Sequence, residues 1–268
     1  MLLSCSVDLL FSYYLMSTYK TQAIVLKQND YINADRLFYI YTQKQGKVAL
    51  MVKGGKKIQS KLTPNLQAMA VTNLLIAQGR RFDRLASSQI EQNFSNIKSN
   101  FEKIAAAYSL IELVDQLTQN YQADEKIFQL LLNYLEVIDK NKLESIKLRN
   151  LINFFSLQFL NLLGYSPQLY NCLYCKKKIT PNNNYFYPRK GSLACNDCLP
   201  TKTSRIIKIS DNAIKILRMA IKEKPVKLIK IKIEKKLSAE LENIVEEFLK
   251  YHLEKPLNSQ DFFKKAIA

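Results

Sequence analysis

"TQAIVLKQNDYINADRLFYIYTQKQGKVALMVKG", residues 21 to 54, packs three short apolar runs between turn signals and sets the fold class. In the first run Ala23 and Val25 share one face and Ile24 and Leu26 the other, the period-two pattern of a strand. "DRLFYIYTQ" is rich in aromatic and branched side chains, which fit a pleated surface, and "QKQG" then turns the chain into "KVALMVKG". Downstream, "LQAMAVTNLLIAQ" reads as a fourth strand ending at Gly79 and "RRFDRLASSQI" as a fifth. Five short strands in under eighty residues predict a small barrel or sandwich.

Charge narrows the choice. The chain has 268 residues, 47% of them hydrophobic, with 40 Lys and Arg against 23 Asp and Glu, a formal net charge of +17. Such a length accommodates about two domains, and the surplus points to a polyanionic partner. Residues 17–95 carry 12 basic and 4 acidic side chains, whereas residues 96–171 carry 7 and 8. Residues 172–200 carry 5 and 1, and residues 201–268 carry 16 and 9. A near-neutral middle therefore separates basic regions, and a five-stranded oligonucleotide-binding (OB) barrel suits both the strand count and the charge of the first.

After residue 97 the period becomes helical. Ile97, Phe101, Ile104, Tyr108 and Ile111 form one stripe, and Asp124 opens a second helix through Ile127, Phe128, Leu131, Leu135 and Ile138. A third, from about Leu143 to Leu163, is apolar nearly all round, as the buried centre of a bundle would be, and Gly164 and Pro167 stop it. Ser210 is the expected N-cap of "DNAIKILRMAIK", and "SAELENIVEEFLKYHL" reads as the last long helix. "VKLIKIKIEKK", residues 226–236, fits either a basic edge touching nucleic acid or a solvated connector.

Between these helices, "CLYCKKKITPNNNYFYPRKGSLACNDC" (172–198) holds four of the five cysteines as two Cys-x-x-Cys pairs nineteen residues apart. Each pair can turn two sulfurs to one point, and two pairs complete a tetrahedron around zinc. Tyr185 to Tyr187 reads as a short strand and Arg189 to Gly191 as a turn back through Ser192, Leu193 and Ala194. Cys172, Cys175, Cys195 and Cys198 are thus expected to hold one structural Zn2+, with Lys176, Lys177 and Lys178 helping to keep the sulfurs deprotonated. A disulfide framework or a redox pair fits less well, since a chain of this length needs no such staples and no βαβ pattern adjoins the pairs.

The expected organisation is α+β and multidomain: an N-terminal extension at 1–16, an OB barrel at 17–95, a helical domain at 96–171 and 201–268, and a four-cysteine zinc finger at 172–200 interrupting it. Met16 precedes the strand pattern directly and is the expected start of translation, in which case Cys5 would not exist in the natural protein; the alternative is a start at Met1 with an unremarkable extension. The segment before it lacks a basic n-region, and no uninterrupted run reaches the ~18 apolar residues of a membrane span. A cytoplasmic protein without membrane contact is expected.

Candidate nucleic-acid contacts are Lys20 and Lys27 on the first strand, Arg36, and Lys53, Lys56, Lys57 and Lys61 around Gly54-Gly55. Arg80, Arg81 and Arg84, which flank Phe82, complete the set. "GGKKIQS" is no phosphate-binding P-loop, because Leu50 stands where the first glycine belongs and Lys57 follows Lys56. Catalysis is not expected: His252 is the only histidine, with no Ser or Cys nucleophile nearby in sequence, and the adjacent acids Glu246-Glu247 and Asp124-Glu125 diverge on a helix.

The order of these parts resembles the bacterial RecO family over roughly Met16 to Phe263. "AIVLKQNDYINADRLFYIYTQKQGKVALMVKGGKK" and "LQAMAVTNLLIAQGRRFDRL" are similar to its opening barrel, "FLNLLGYSPQLYNCLYC" to the approach to its zinc segment, and "YHLEKPLNSQDFF" to its closing helix. The resemblance implies a non-enzymatic, nucleoid-associated repair factor. It would bind single- and double-stranded DNA, anneal complementary strands, recognise the C-terminal tail of the single-strand-binding protein, and work with RecR, and in some systems RecF, so that RecA can load. It also implies Arg36 and the Lys53–Lys57 loop as DNA contacts and the four cysteines as metal ligands. Here the loop carries lysines where arginines are common, so point-charge contacts would replace bidentate ones. The alternative is a zinc-ribbon RNA-binding or transcription accessory protein.

Overall fold

The computed structural model describes residues 17–181, 183–198 and 206–267; the expectations for Cys5, Met16 and the 1–16 extension lie outside them. Five strands, β1 (Thr18–Asp30), β2 (Arg36–Thr42), β3 (Gly46–Val52), β4 (Val71–Ala77) and β5 (Asp83–Gln92), close into a barrel in the order β1-β2-β3-β5-β4, with β4 returning to β1. All neighbours are antiparallel except β3 and β5, which meet in a short parallel contact where Leu50 faces Asp83 and Met51 faces Arg84. This is the five-stranded OB-type barrel that the alternation implied.

The two faces of β1 enter two different cores. Ala23 and Val25 point into the barrel with Phe38, Ile40, Val48, Leu50, Val52, Leu74 and Ile76. Ile24, Leu26 and, from β2, Tyr41 point outward and are buried in the helical core. A bulge between Val25 and Lys27 then shifts the register, and beyond it the rest of β1 is exposed. Tyr41 is thus a core residue, with its hydroxyl donating to the Asp124 carbonyl at 3.3 Å. Burial pushes its phenol up to about 12.

Among the described residues eight helices follow: α1 (Ser95–Lys98), α2 (Phe101–Leu117), α3 (Glu125–Lys140), α4 (Ser145–Leu162), α5 (Asp211–Lys222), α6 (Pro225–Leu228), α7 (Lys235–Leu249) and α8 (Asn258–Ala266). Side-chain oxygens of Asn100, Asp124 and Ser210 accept from Lys103, Lys126 and Ala213 N–H groups and cap α2, α3 and α5. α4 is the centre: Leu148, Leu151, Phe154, Phe155, Leu157, Phe159 and Leu160 are all buried, and α2, α3, α5 and α7 pack around it. Among the described residues no helix is long and apolar enough to cross a membrane.

The cysteine region is more than a hairpin. β6 (Gln168–Cys172), β7 (Asn184–Tyr187), β8 (Ser192–Ala194) and β9 (Ile207–Ile209) form a sheet in the order β6-β8-β7-β9. The inner hairpin was legible, but β6 and β9 come from outside it and are too short to show a period. The closing region also differs from expectation, because α7 ends at Leu249 and the chain turns through His252 before a separate α8. Residues 226–236 form no strand; they comprise most of α6, a turn and the first residues of α7.

Candidate nucleic-acid interface and metal centre

Three loops meet at one end of the barrel, and local hydrogen bonds explain how. After β1 the chain turns through Tyr31 to Asp35, with Tyr31 N–H donating to the Asp35 carbonyl at 3.1 Å. The Asp35 carboxylate accepts from Gly54 N–H at 2.8 Å, and the Ala34 carbonyl accepts from Lys56 N–H at 2.8 Å, so the loop after β3 is stapled to that turn. Gly55 permits the close approach, since a Cβ there would lie 3.0 Å from both the Arg36 Cβ and the Val52 carbonyl oxygen. From the β4–β5 connection Phe82 meets Tyr31 edge-to-face at 5.6 Å. That connection is tight because buried Asp83 accepts from Gly79 N–H at 3.1 Å and from the Tyr19 hydroxyl at 2.7 Å, and a Cβ on Gly79 would run into the Phe82 carbonyl. Burial and the Asp83 carboxylate both push the Tyr19 phenol up.

This arrangement gathers Arg36, Lys53, Lys56, Lys57, Arg80, Arg81 and Arg84 at the end where β3 meets β5. Lys61 lies farther along the β3–β4 connection, which Ser88 of β5 holds by donating to the Leu62 carbonyl at 3.2 Å. Of the nearby carboxylates, Asp35 and Asp83 are occupied by backbone donors, and exposed Asp30 pairs with Arg36 at 3.3 Å. Among the described residues no ion pair involves Lys53, Lys56, Lys57, Lys61 or Arg84. Arg81 caps the Phe82 ring at 5.2 Å.

Two candidates fall elsewhere. Lys20 is on the outer face of β1, across from Leu75 of β4. Lys27 sits over the Tyr39 ring at 4.6 Å and bonds Asp115 of α2 at 2.5 Å. Lys47, which sequence reasoning passed over, joins the same acid from the barrel at 3.6 Å. Burial lowers the Lys47 pKa, against the pull of the Asp115 carboxylate. Lys27 and Lys47 therefore clamp the barrel to α2, a role that no local pattern in the sequence announces. They also line a cavity of about 1040 Å3 between barrel and helices, together with Asp115, Tyr108 and Phe262.

The four cysteine sulfurs lie within 4.8 Å of one another. Cys175 and Cys195 are 3.9 Å apart, against about 3.8 Å for the edge of a tetrahedron with ~2.3 Å Zn–S bonds. The first knuckle closes by a bond from Lys176 N–H to the Cys172 carbonyl at 3.1 Å, and the second by Cys198 N–H to the Cys195 carbonyl at 3.1 Å. Burial alone would raise the Cys172 thiol, but N–H donors of Cys195, Cys175 and Tyr174 outweigh it and bring it to about 6. Hydrogen bonds with Cys195 and Cys175 push Cys198 up to about 12. Backbone donors thus favour the Cys172 thiolate, and the Lys176 ammonium goes to the Leu173 carbonyl at 2.8 Å. The donor set fits a soft, four-coordinate divalent metal.

The four acids of the pairs read as non-catalytic all have partners, Glu125 accepting from the Gln43 side-chain amide at 2.7 Å. Asp124 caps α3, Glu246 meets Lys264 at 2.7 Å, and Glu247 meets Lys250.

Comparison with known proteins gives a consistent result. The family model described as Recombination protein O N terminal matches residues 16–94, and that described as Recombination protein O C terminal matches residues 98–261. Relatives named DNA repair protein RecO include one from Dehalococcoides mccartyi, 31% identical over 88% of this chain and 91% of its own. Another, from Desulforamulus reducens, is 27% identical over 93% and 95%, and a third, from a Roseiflexus species, is 30% identical over 91% and 84%.

Proposed function

The chain belongs to the RecO family of DNA repair proteins, and we propose that it is a recombination mediator that holds DNA at the three-loop end of its barrel and anneals complementary strands. The observation that carries this reading is the convergence of Lys53, Lys56, Lys57, Arg81 and Arg84, with few free carboxylates, on one end of an OB-type barrel. Cations on such a surface neutralise phosphates of both strands and lower their mutual repulsion, so pairing proceeds with no bond made or broken and no base sequence preferred. Phe82 and Tyr31 supply aromatic surface beside the charge, a combination suited to unpaired bases. No nucleotide or catalytic metal is required in this reading. The resemblance further supplies RecR and the tail of the single-strand-binding protein as partners and RecA loading as the outcome.

We infer that the cysteine cluster holds one structural zinc: four sulfurs fill its shell and leave no position for water. Metal analysis of freshly purified protein should find one zinc per chain.

The test of the DNA reading is fluorescence anisotropy with a labelled single-stranded oligonucleotide across salt concentrations. Log affinity should fall with log salt by about 0.7 per phosphate contacted. Lys56→Glu with Lys57→Glu should weaken binding by tenfold or more, an estimate of about 1 kcal/mol per exposed charge reversed, while leaving zinc in place. Salt-insensitive binding, or unchanged affinity in that variant, would remove the loop from the site.

A further inference from the structure

The segment from Lys224 to Lys236 is the densest charged feature that the barrel site does not use. Its aliphatic residues turn inward: Leu228 is buried, and Ile229, Ile231 and Ile233 pack on the helical core. Its lysines, Lys224, Lys227, Lys230, Lys232, Lys235 and Lys236, are all exposed. Only Lys227 has an ion pair among the described residues, with Glu223 at 2.8 Å. Lys235 and Lys236 also occupy the first turn of α7, where the positive end of the helix dipole disfavours cations. The inward aliphatic residues leave six exposed lysines against one exposed acid, Glu234, between residues 224 and 236, a charge excess that a bound polyanion relieves.

We propose that this segment is a second phosphate-backbone surface, which holds the complementary strand while the barrel loops hold the first. It is built on α3 and α4 and not on the barrel. Val226 is the only large apolar side chain that it exposes, so it lacks the buried anchors that fix a protein partner. Lysine ammonium groups are point charges without the forked geometry that selects particular carboxylates, which suits a flexible, sequence-independent backbone.

The inference rests on the barrel being the first DNA site, and the experiment keeps the two apart. In the full chain, Lys230→Glu, Lys232→Glu, Lys235→Glu and Lys236→Glu are combined, and Lys56→Glu with Lys57→Glu is prepared alongside. Glutamate in the first turn of α7 suits the helix dipole, so the melting temperature of the fourfold variant should not fall. Its affinity for one labelled single-stranded oligonucleotide should stay within about twofold of the parent, while annealing of two complementary oligonucleotides slows by about tenfold or more. An unchanged annealing rate, with single-strand binding still lost in the loop variant, would overturn the second surface and leave the barrel reading standing. So would unchanged annealing with lost affinity for a polyglutamate peptide, which would assign the segment to an acidic protein.

Discussion

The barrel and the cysteine-bearing sheet are both small β-structures, yet they hold together in opposite ways. The barrel closes on itself, pairs every strand on both edges and keeps a core of its own from Ala23 to Leu85. The four-stranded sheet is open and has no private core: Leu169, Phe186, Leu193 and Ile209 are buried in the helical core, where Phe186 meets Phe248 of α7 edge-to-face at 5.9 Å. Arg218 of α5 adds a clamp, with Nε and Nη2 bonding the Leu169 carbonyl at 2.9 and 2.6 Å. A closed barrel can present loops at its end without losing its fold, whereas an open sheet of three- to five-residue strands leans on the neighbouring bundle, and a metal held by the four cysteines would cross-link it.

The largest expected effect comes from removing the metal. Structural zinc contributes on the order of 10 kcal/mol in small domains. A strong chelator at neutral pH should therefore abolish amide-exchange protection at Tyr185 to Ala194 while leaving Ile40, Val48 and Leu50 protected. Joint loss in both regions, or loss in neither, would break the contrast.

A sharper version uses two neighbouring strands. Phe38 is fully buried in the barrel core and Ile24 fully buried in the helical core, although both belong to the barrel sheet. Phe38→Ala should destabilise the barrel by about 3–5 kcal/mol, and Ile24→Ala should cost about 2–5 kcal/mol. In the second case the loss falls on barrel docking, with exchange rising first in α2 and at Lys47, where α2 and the barrel are bonded. Identical exchange patterns in the two variants would show that the two cores are in fact one.

What the sequence revealed follows the same division. Strands of seven residues or more with aromatic and branched side chains, such as "RLFYIYT", show their period, and the Cys-x-x-Cys pairs show their chemistry, because both signals are local. β6 and β9 stayed hidden at five and three residues, and so did the β3–β5 contact that closes the barrel, because pairing partners across a sheet leave no mark on either strand. The candidate interface was legible as a list of cations but not as a surface. That Lys53 and Arg84 belong together depends on Gly54, Gly55 and Gly79 folding three loops onto one end, while Lys27 was drawn away by an acid 88 residues distant.

The smallest effect concerns acid, and it separates the two regions once more, since the chain's single histidine belongs to the helical part. His252 lies between the rings of Tyr165 and Phe248, with centroids at 4.5 and 4.8 Å, and burial lowers its pKa below 6.5. The unfolded chain takes up a proton near pH 6.5 and the folded one only at lower pH, so the stability this residue contributes is whole above 6.5. It is lost as pH falls through the lowered folded value. Glu242, raised by burial, works the other way, gaining stability as acid neutralises it, so a wild-type profile alone would mix the two. His252→Phe keeps a ring in place and leaves Glu242 untouched. The difference between the two melting-temperature profiles should be flat above about pH 6.5 and open below it, in the helical transition and not in the barrel's. A difference that stays constant down to about pH 5 would mean that the imidazole is solvated in the fold and takes its proton as freely there as in the unfolded chain.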